Sequence, residues 1–457
     1  MARLQRPRIT PIAGPILGEF LVGISVAMAG LWMASRISDA TAGAFGMSQQ
    51  VLESLFVLFR VLAIGVGVTI TQSLGARRAA AAQRTALVGL GACTWLGTVA
   101  ALWLLFGSGW TLELLNAPDA VATLASTYLP LLAVAALLEA YNLVMASILR
   151  AHLYARDTLF VMLVMHATHL TLALPLMLDL GLGDWNGLGL PGYALALTLS
   201  RATGLALHLW LWRRRMNLVP TQRDWWYCPA RALVPVLRIG VPGASLELAY
   251  RVAFLMSLSA AAKLGVAALA TQAYVLQTLR YVVLISLAIG WACEIMVGHL
   301  IGSGEFRTAH QLVRKSLRNG LLASGAMALI VAAGAPWIMR AFTRDPAVIH
   351  MAQTLLWISL ALETGRVANI VVLGALRSTG DVIFPVSAAV TSIFLVLGVG
   401  SLMLGQRYGL VGIWIAYAAD EWIRSALMFW RWETHGWVAH ARAIQQRMRA
   451  PGVESRF

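Results

Sequence analysis

The sequence predicts an all-α membrane protein of twelve transmembrane helices in two pseudo-symmetric six-helix bundles. Three observations carry this. Apolar runs long enough to cross a bilayer recur along the whole chain, the basic residues fall on alternate loops, and landmark residues repeat at a constant offset. Of 457 residues, 59% are hydrophobic and 12% charged, half the charge of an ordinary soluble domain. The mean hydropathy is +0.73. No polar stretch remains that could fold as a separate soluble domain.

The spans expected from runs of about 20 apolar residues are 12–34, 47–73, 85–107, 123–149, 158–179, 191–212, 240–262, 267–301, 317–339, 347–375, 382–404 and 409–430. Pro130, Pro175, Pro336 and Pro385 fall inside or beside them, which a bundle tolerates when neighbouring helices re-satisfy the freed backbone. Arg3, Arg6 and Arg8 before an apolar run ending in Ala27-Met28-Ala29 imitate a cleavable signal peptide. The internal repeat requires that segment to persist, so it reads as the first span.

Orientation follows from loop arginines and lysines. One side collects 24 of them, among them Arg77, Arg78, Arg150, Arg156, Arg213 to Arg215, Arg314, Lys315, Arg377, Arg442, Arg447 and Arg456. The other has Arg36, Lys263, Arg340, Arg344 and Arg407, with the acidic Asp39, Glu113, Asp119, Asp179, Asp184 and Asp345. This places both termini in the cytoplasm and supports an even span count. The expected organisation is a six-helix lobe over 1–213, a cytoplasmic linker over 214–239, a second six-helix lobe over 240–432, and a basic cytoplasmic tail over 433–457 that touches anionic lipid. The net charge of +15 is thus a matter of topology, not of nucleic-acid binding. Cys93, Cys228 and Cys293 are scattered, which indicates neither a disulfide framework nor a zinc site.

Shifting the chain by 227 positions superimposes Pro15 on Pro242, Arg36 on Lys263, Ala120-Val121 on Ala347-Val348, Asn142 on Asn369, and Leu149-Arg150 on Leu376-Arg377. With small gaps, Ala63-Ile64-Gly65 meets Ala288-Ile289-Gly290, and Gly189-Leu190-x-Gly192 meets Gly409-Leu410-x-Gly412. Shared Pro, Asn, Arg and Gly at one offset mark a duplication. Six spans per copy is even, so the copies are related by an axis along the membrane normal, the arrangement of transporters with a midplane site between repeats.

These residues resemble the multidrug and toxic-compound extrusion (MATE) family over nearly the whole chain. Gly240-Val241-Pro242, Lys263-Leu264-Gly265, Val297-Gly298-His299-Leu300-Ile301-Gly302 and Leu376-Arg377-Ser378-Thr379-Gly380-Asp381 carry the resemblance best, with Leu149-Arg150-Ala151 a looser copy. The resemblance implies a V-shaped bundle of two lobes around a cavity. It also implies antiport of organic, often cationic compounds against protons or sodium. Two positions depart from it: Gly30 stands where some bacterial members have an Asp in helix 1, and Arg366 where sodium-linked members have one in helix 10.

A charge within the bilayer is a functional hypothesis by default. Glu247, five residues after Pro242, resembles the carboxylate that several branches use for coupling; pairing with Arg251 at i+4 is its structural alternative. Glu139 and Arg366 share one repeat position, and opposite charges there could face each other across the cavity, although Glu363 one turn away could satisfy Arg366 instead. The expected ion-coupling set is Glu247, Glu139 and Glu363. The expected substrate cavity is Glu19, Asn142, Asn369 and Arg366, with Glu19 equally readable as a snorkelling side chain and the two Asn as interhelical glue. Asp420 and Arg424 read as a structural i,i+4 pair. His166 and His169 lack an acidic neighbour in sequence, so no metal is expected, and no cofactor beyond a coupling H+ or Na+.

The function expected is a secondary active antiporter of the bacterial inner membrane, a monomer exporting small organic compounds. The alternative is a flippase of a lipid-linked precursor from the same superfamily, which calls for a more basic cavity. A major-facilitator transporter lacks support because the 73–78 loop has no Asp. An enzyme lacks support because there is no HExxH, GxSxG, paired-Asp or P-loop motif.

Overall fold

The computed structural model describes residues 9–115, 117–179 and 187–449. Arg3, Arg6, Arg8, Asp184 and Arg456, used above for orientation, lie outside them. The described chain is helical, with no strand. In order it forms α1 (Thr10–Ile37), α2 (Asp39–Gly75), α3 (Ala79–Phe106), α4 (Ser108–Leu114), α5 (Asp119–Leu131), α6 (Ala133–Ala151), α7 (Ala155–Met177), α8 (Leu190–Met216), α9 (Ala230–Lys263), α10 (Val266–Ser303), α11 (Phe306–Ala333), α12 (Ala335–Arg340), α13 (Pro346–Ser378), α14 (Ile383–Ser392), α15 (Gly400–Glu433) and α16 (Val438–Arg449).

Among the described residues, eleven helical stretches are long and apolar enough to cross a membrane, the last of them 51 residues over Ile383–Glu433. At 1.5 Å per residue such a helix would run about 77 Å, more than twice the roughly 30 Å hydrocarbon core. The stretch is two crossings joined at Gly409, whose φ of 62° and ψ of −146° interrupt the helix. Counted so, there are twelve spans. A π-helical segment, Ile393–Val399, links α14 to α15. The fourth span is broken as well: Pro130 lies at the end of α5, and α6 restarts after Leu132. A proline ring removes one helical hydrogen bond and crowds the preceding turn.

The Gly-Leu-x-Gly motif shared by both copies has one physical reading. Gly189, at φ 65° and ψ −137°, precedes α8, and Gly409 does the same in the second copy. Neither backbone conformation suits a residue with a Cβ. Three positions on, a Cβ on Gly192 would strike the Leu176 carbonyl oxygen, and one on Gly412 the Leu404 carbonyl oxygen. The first glycine turns the chain; the second lets the new helix touch the end of the previous one.

The chain divides into two compact units, one of Gly18–Ile70 and Ala79–Gly240, the other of the chain beyond Val241 with Thr71–Arg78 and the residues before Gly18. In the first unit α6 packs on α3 and α8, and α7 on α8. In the second, α13 packs on α10, α11 and α15. Each has its own core, around Phe45, Tyr128 and Tyr193 in the first, and around Trp414, Tyr417 and Leu355 in the second. The end of α2 belongs to the second unit, where Gly75 meets the backbone of His299 and Gly302 that of Gln72. Small residues at such a crossing allow backbone-to-backbone contact.

The 214–239 segment, expected as a cytoplasmic linker, packs against its own unit. Its aromatic stretch lies along α3: Trp95 Nε1 donates to the Trp226 carbonyl at 3.1 Å, Thr94 donates to the Trp225 carbonyl, and Trp225 meets Tyr141 edge-on at 5.2 Å. From Ala230 onward it is already α9. Of the three adjacent aromatics Trp225-Trp226-Tyr227, Trp225 is half-buried against Tyr141, while Trp226 and Tyr227 remain exposed.

Candidate functional site

Each unit buries one polar cluster on the helices matched by the repeat. In the first, Glu139 of α6 forms an ion pair with Arg201 of α8 at 2.9 Å, each side chain 14% exposed. Asn142, one turn on, donates to the Arg201 carbonyl at 3.0 Å, and its Oδ1 lies 3.1 Å from His208 Nδ1. Gly204 makes room, since a Cβ there would sit 2.8 Å from Asn142 Oδ1. Near Arg201, His166 and His169 are buried, and neither ring nitrogen of His169 has a hydrogen-bond partner among the described residues.

The second cluster is larger. Arg366 of α13 donates to Glu363 Oε1 at 2.5 Å and to Glu421 Oε1 at 3.3 Å. Asn369 donates to Glu421 Oε2 at 3.0 Å. Arg424 reaches Glu421 at 3.0 Å and Asp420 at 2.6 Å, while Ser392 donates to Asp420 at 2.7 Å. Glu363 is fully buried, and its Oε2, like Asn369 Oδ1, has no hydrogen-bond partner among the described residues. The group holds three carboxylates against two guanidinium groups.

The two clusters are related with their charges exchanged. An offset of 227 carries Glu139 to Arg366, and the offset of 220 set by Gly189 and Gly409 carries Arg201 to Glu421. Acid on α6 and base on α8 become base on α13 and acid on α15. Glu139 and Arg366 each have a partner within their own unit, and Arg366 is met by Glu363, the alternative weighed for it. The Asp420–Arg424 pair exists, but inside this network. Sequence reasoning at the offset of 227 passes over Arg201 and Glu421, although both lie within apolar runs. Applying the shift of the Gly-Leu-x-Gly motif to intramembrane charges would have found them.

A second tier of ion pairs lies one helical turn or more away. Arg150, the repeat mate of Arg377, donates to Glu19 Oε2 at 2.7 Å, and Thr158 donates to Glu19 Oε1. Glu19 is 4% exposed, so it does not snorkel. Arg377 grips Glu294 with two bonds of 2.7 and 2.6 Å. Asp157 with Arg215 at 2.7 Å and Asp381 with Arg431 at 2.8 Å form matching clamps. Glu247 meets Arg251 at 3.5 Å along the same helix, both side chains about a third exposed. Among the described residues no three His, Cys, Asp or Glu side chains converge as a metal site would require.

The MatE family model matches residues 15–174 and 244–402, one stretch in each copy. The chain belongs to the MatE family. This MatE chain is 29% identical over 434 residues to a transporter of uncharacterized function from Bacillus subtilis, YisQ, covering 94% of both chains. It is also 29% identical to a probable multidrug resistance protein NorM of Chromobacterium violaceum, over 45% of this chain and 44% of that one. Solved structures share the fold. A MOP superfamily transporter from Pyrococcus furiosus, described by a reversed polarity of its binding pocket, superposes with a TM-score of 0.84 at 18% identity over 96% of each chain. The Vibrio cholerae transporter VcmN in its bent form gives 0.84 at 18% identity, over 96% of this chain and 97% of that one. The MatE chain is therefore an integral membrane transporter.

Proposed function

We propose that this transporter is a secondary active antiporter of the bacterial inner membrane. It exports small organic compounds, cationic or amphiphilic, in exchange for an inward-moving ion, by alternating access between its two six-helix lobes, with both termini cytoplasmic. The observation that carries the reading is the odd carboxylate of the second cluster. With two guanidinium groups for three carboxylates, the fully ionised cluster holds one net negative charge in a dry site, where an unpaired charge is costly. Binding one cation removes it. Glu363 is the acceptor we assign, since its Oε2 is buried without a hydrogen-bond partner among the described residues.

A proton is the ion that fits this geometry better than sodium. One oxygen suffices for a proton, whereas a metal ion needs several, and the remaining carboxylate oxygens are largely engaged by Arg366, Arg424, Asn369 and Ser392. Glu139 and Glu247 are the other carboxylates proposed for coupling, and Asn142, Asn369 and Arg366 are proposed to line the substrate cavity. Glu19, held by Arg150 and Thr158, is assigned to the scaffold. The flippase alternative calls for a strongly basic cavity, and these clusters are balanced or acidic.

The test is substrate-dependent proton movement in vesicles carrying the purified protein, with a sodium gradient as the second arm. Native protein is expected to show proton counterflow that Glu363→Gln abolishes, with Glu139→Gln and Glu247→Gln ranked in the same assay. Export that neither gradient drives would sink the antiport reading. Sodium-driven export without proton movement would sink only the choice of ion.

A further inference from the structure

Within the second unit, α9 and α10 part from the turn at Gly265 and leave a cavity of about 560 Å³ between them. That volume lies in the range of about 300–1,000 Å³ typical of small-molecule sites. Its walls include Phe254, Leu258, Leu269 and Leu276, with Ser259 and Gln272 the polar side chains and no charged one. Gln272 is 1% exposed, and neither its Nε2 nor its Oε1 has a hydrogen-bond partner among the described residues. Its neighbour Thr271 bonds the Ala267 carbonyl at 2.7 Å and so is satisfied within its own helix.

A carboxamide can donate two hydrogen bonds and accept two. Burying all of that capacity unused is unfavourable, and the cost is greatest where water is scarce. The fold itself does not need the amide. The repeat mate of Gln272 is Phe45, an apolar side chain packed against Tyr193 at a ring distance of 5.0 Å. The second copy thus places a polar side chain where the first packs a hydrophobic one, and puts it on the wall of a cavity.

We infer that the cavity between α9 and α10 is a binding site for an uncharged amphiphile, whose apolar body fills it and whose carbonyl, amide or hydroxyl group pairs with Gln272. That this ligand is an exported compound rests on the antiport reading above; that it binds does not. The absence of charge on the walls separates this site from the ionised cluster around Glu363 and sets its preference against cations.

The full-length protein in lipid nanodiscs, with no gradient applied, is photolabelled with an uncharged long-chain alcohol carrying a diazirine, and the adducts are mapped by peptide mass spectrometry. Adducts are expected on α9 and α10 around the cavity, enriched over the exposed Leu322 and Ile330 of α11, and competed by the non-photoreactive alcohol. Gln272→Leu should cut that labelling roughly tenfold, the scale of a lost hydrogen bond in a dry site, and should raise the melting temperature of the empty protein. Ala273→Trp, which fills the space and leaves the amide in place, should also abolish it. A quaternary ammonium probe of equal length should label these residues less. Unenriched labelling, labelling that survives both substitutions, or a Gln272→Leu protein that melts earlier would overturn the site. A failed transport assay would leave this result untouched.

Discussion

Arg366 of α13 donates to Glu421 of α15 at 3.3 Å, at the repeat positions where the first copy has Glu139 and Arg201. The polarity of the pair is reversed between the copies while its place in the scaffold is kept. Breaking a buried pair leaves one charge without compensation, which costs about 3–5 kcal/mol. Arg201→Ala is accordingly expected to lower the stability of the detergent-solubilised protein by that order. Glu139→Arg combined with Arg201→Glu should recover most of the loss. Thermal unfolding of the single and double variants checks this, and a double variant no better than the single one would mean the surroundings accept one polarity only.

The surplus carboxylate predicts that the charge count of the second cluster matters more than the identity of the acid removed. Glu421→Gln leaves Glu363 and Asp420 facing Arg366 and Arg424, a balanced set with no need of a proton. Substrate-coupled proton flux should therefore fall in Glu421→Gln as it does in Glu363→Gln. Flux measured with a pH-sensitive dye inside the vesicles decides it, and undiminished counterflow in Glu421→Gln would show that the count is irrelevant.

Gly189 and Gly409 hold backbone conformations that strain any other residue. Gly189→Ala and Gly409→Ala should each cost about 1–3 kcal/mol. Gly14 of α1, where an added Cβ meets nothing within 4 Å, is the control: in a helix alanine is favoured over glycine by up to about 1 kcal/mol. Melting temperatures of the three variants should fall, fall and hold or rise.

Cysteine chemistry should sort the three thiols. Cys93 and Cys293 are buried, and Cys228 is partly exposed on the segment before α9. Burial pushes the Cys228 thiol above its ordinary value of 9.0, and the thiolate is the reactive form. Maleimide labelling of the folded protein is expected to be slow at neutral pH and to quicken as pH rises, at Cys228 first. Cys93 and Cys293 should react only after denaturation. Rapid neutral labelling at Cys228 would contradict its packing.

Most of the fold was legible because its two strongest determinants are local. Apolar runs fix where helices cross, and Pro130 and Gly409 are visible breaks within or between runs. The contacts of Trp225 and Trp226 with α3 are not legible in the sequence, because charged neighbours such as Arg223 and Asp224 mask them. The site was half legible. Glu139, Glu363 and Arg366 stand out as charges in apolar surroundings, but partners are chosen by how helices cross. Arg201 and Glu421 lie on helices that align at a different offset, so the shift of 227 alone passes over them. Whether Gln272 is satisfied depends on neighbours that no spacing rule reports.

The reversed pairs also constrain ancestry. If both halves descend from one six-helix precursor, one pair has had both members replaced. Changing the acid first sets two arginines side by side, and changing the base first sets two carboxylates together, each a poorly tolerated intermediate. Neighbouring charges of either sign soften such a step. In the second copy Glu363 and Arg424 already flank the pair, whereas Asn142 and His208 stand beside the first. The half with the richer ionic surroundings is the one in which such an exchange of charges would meet less resistance.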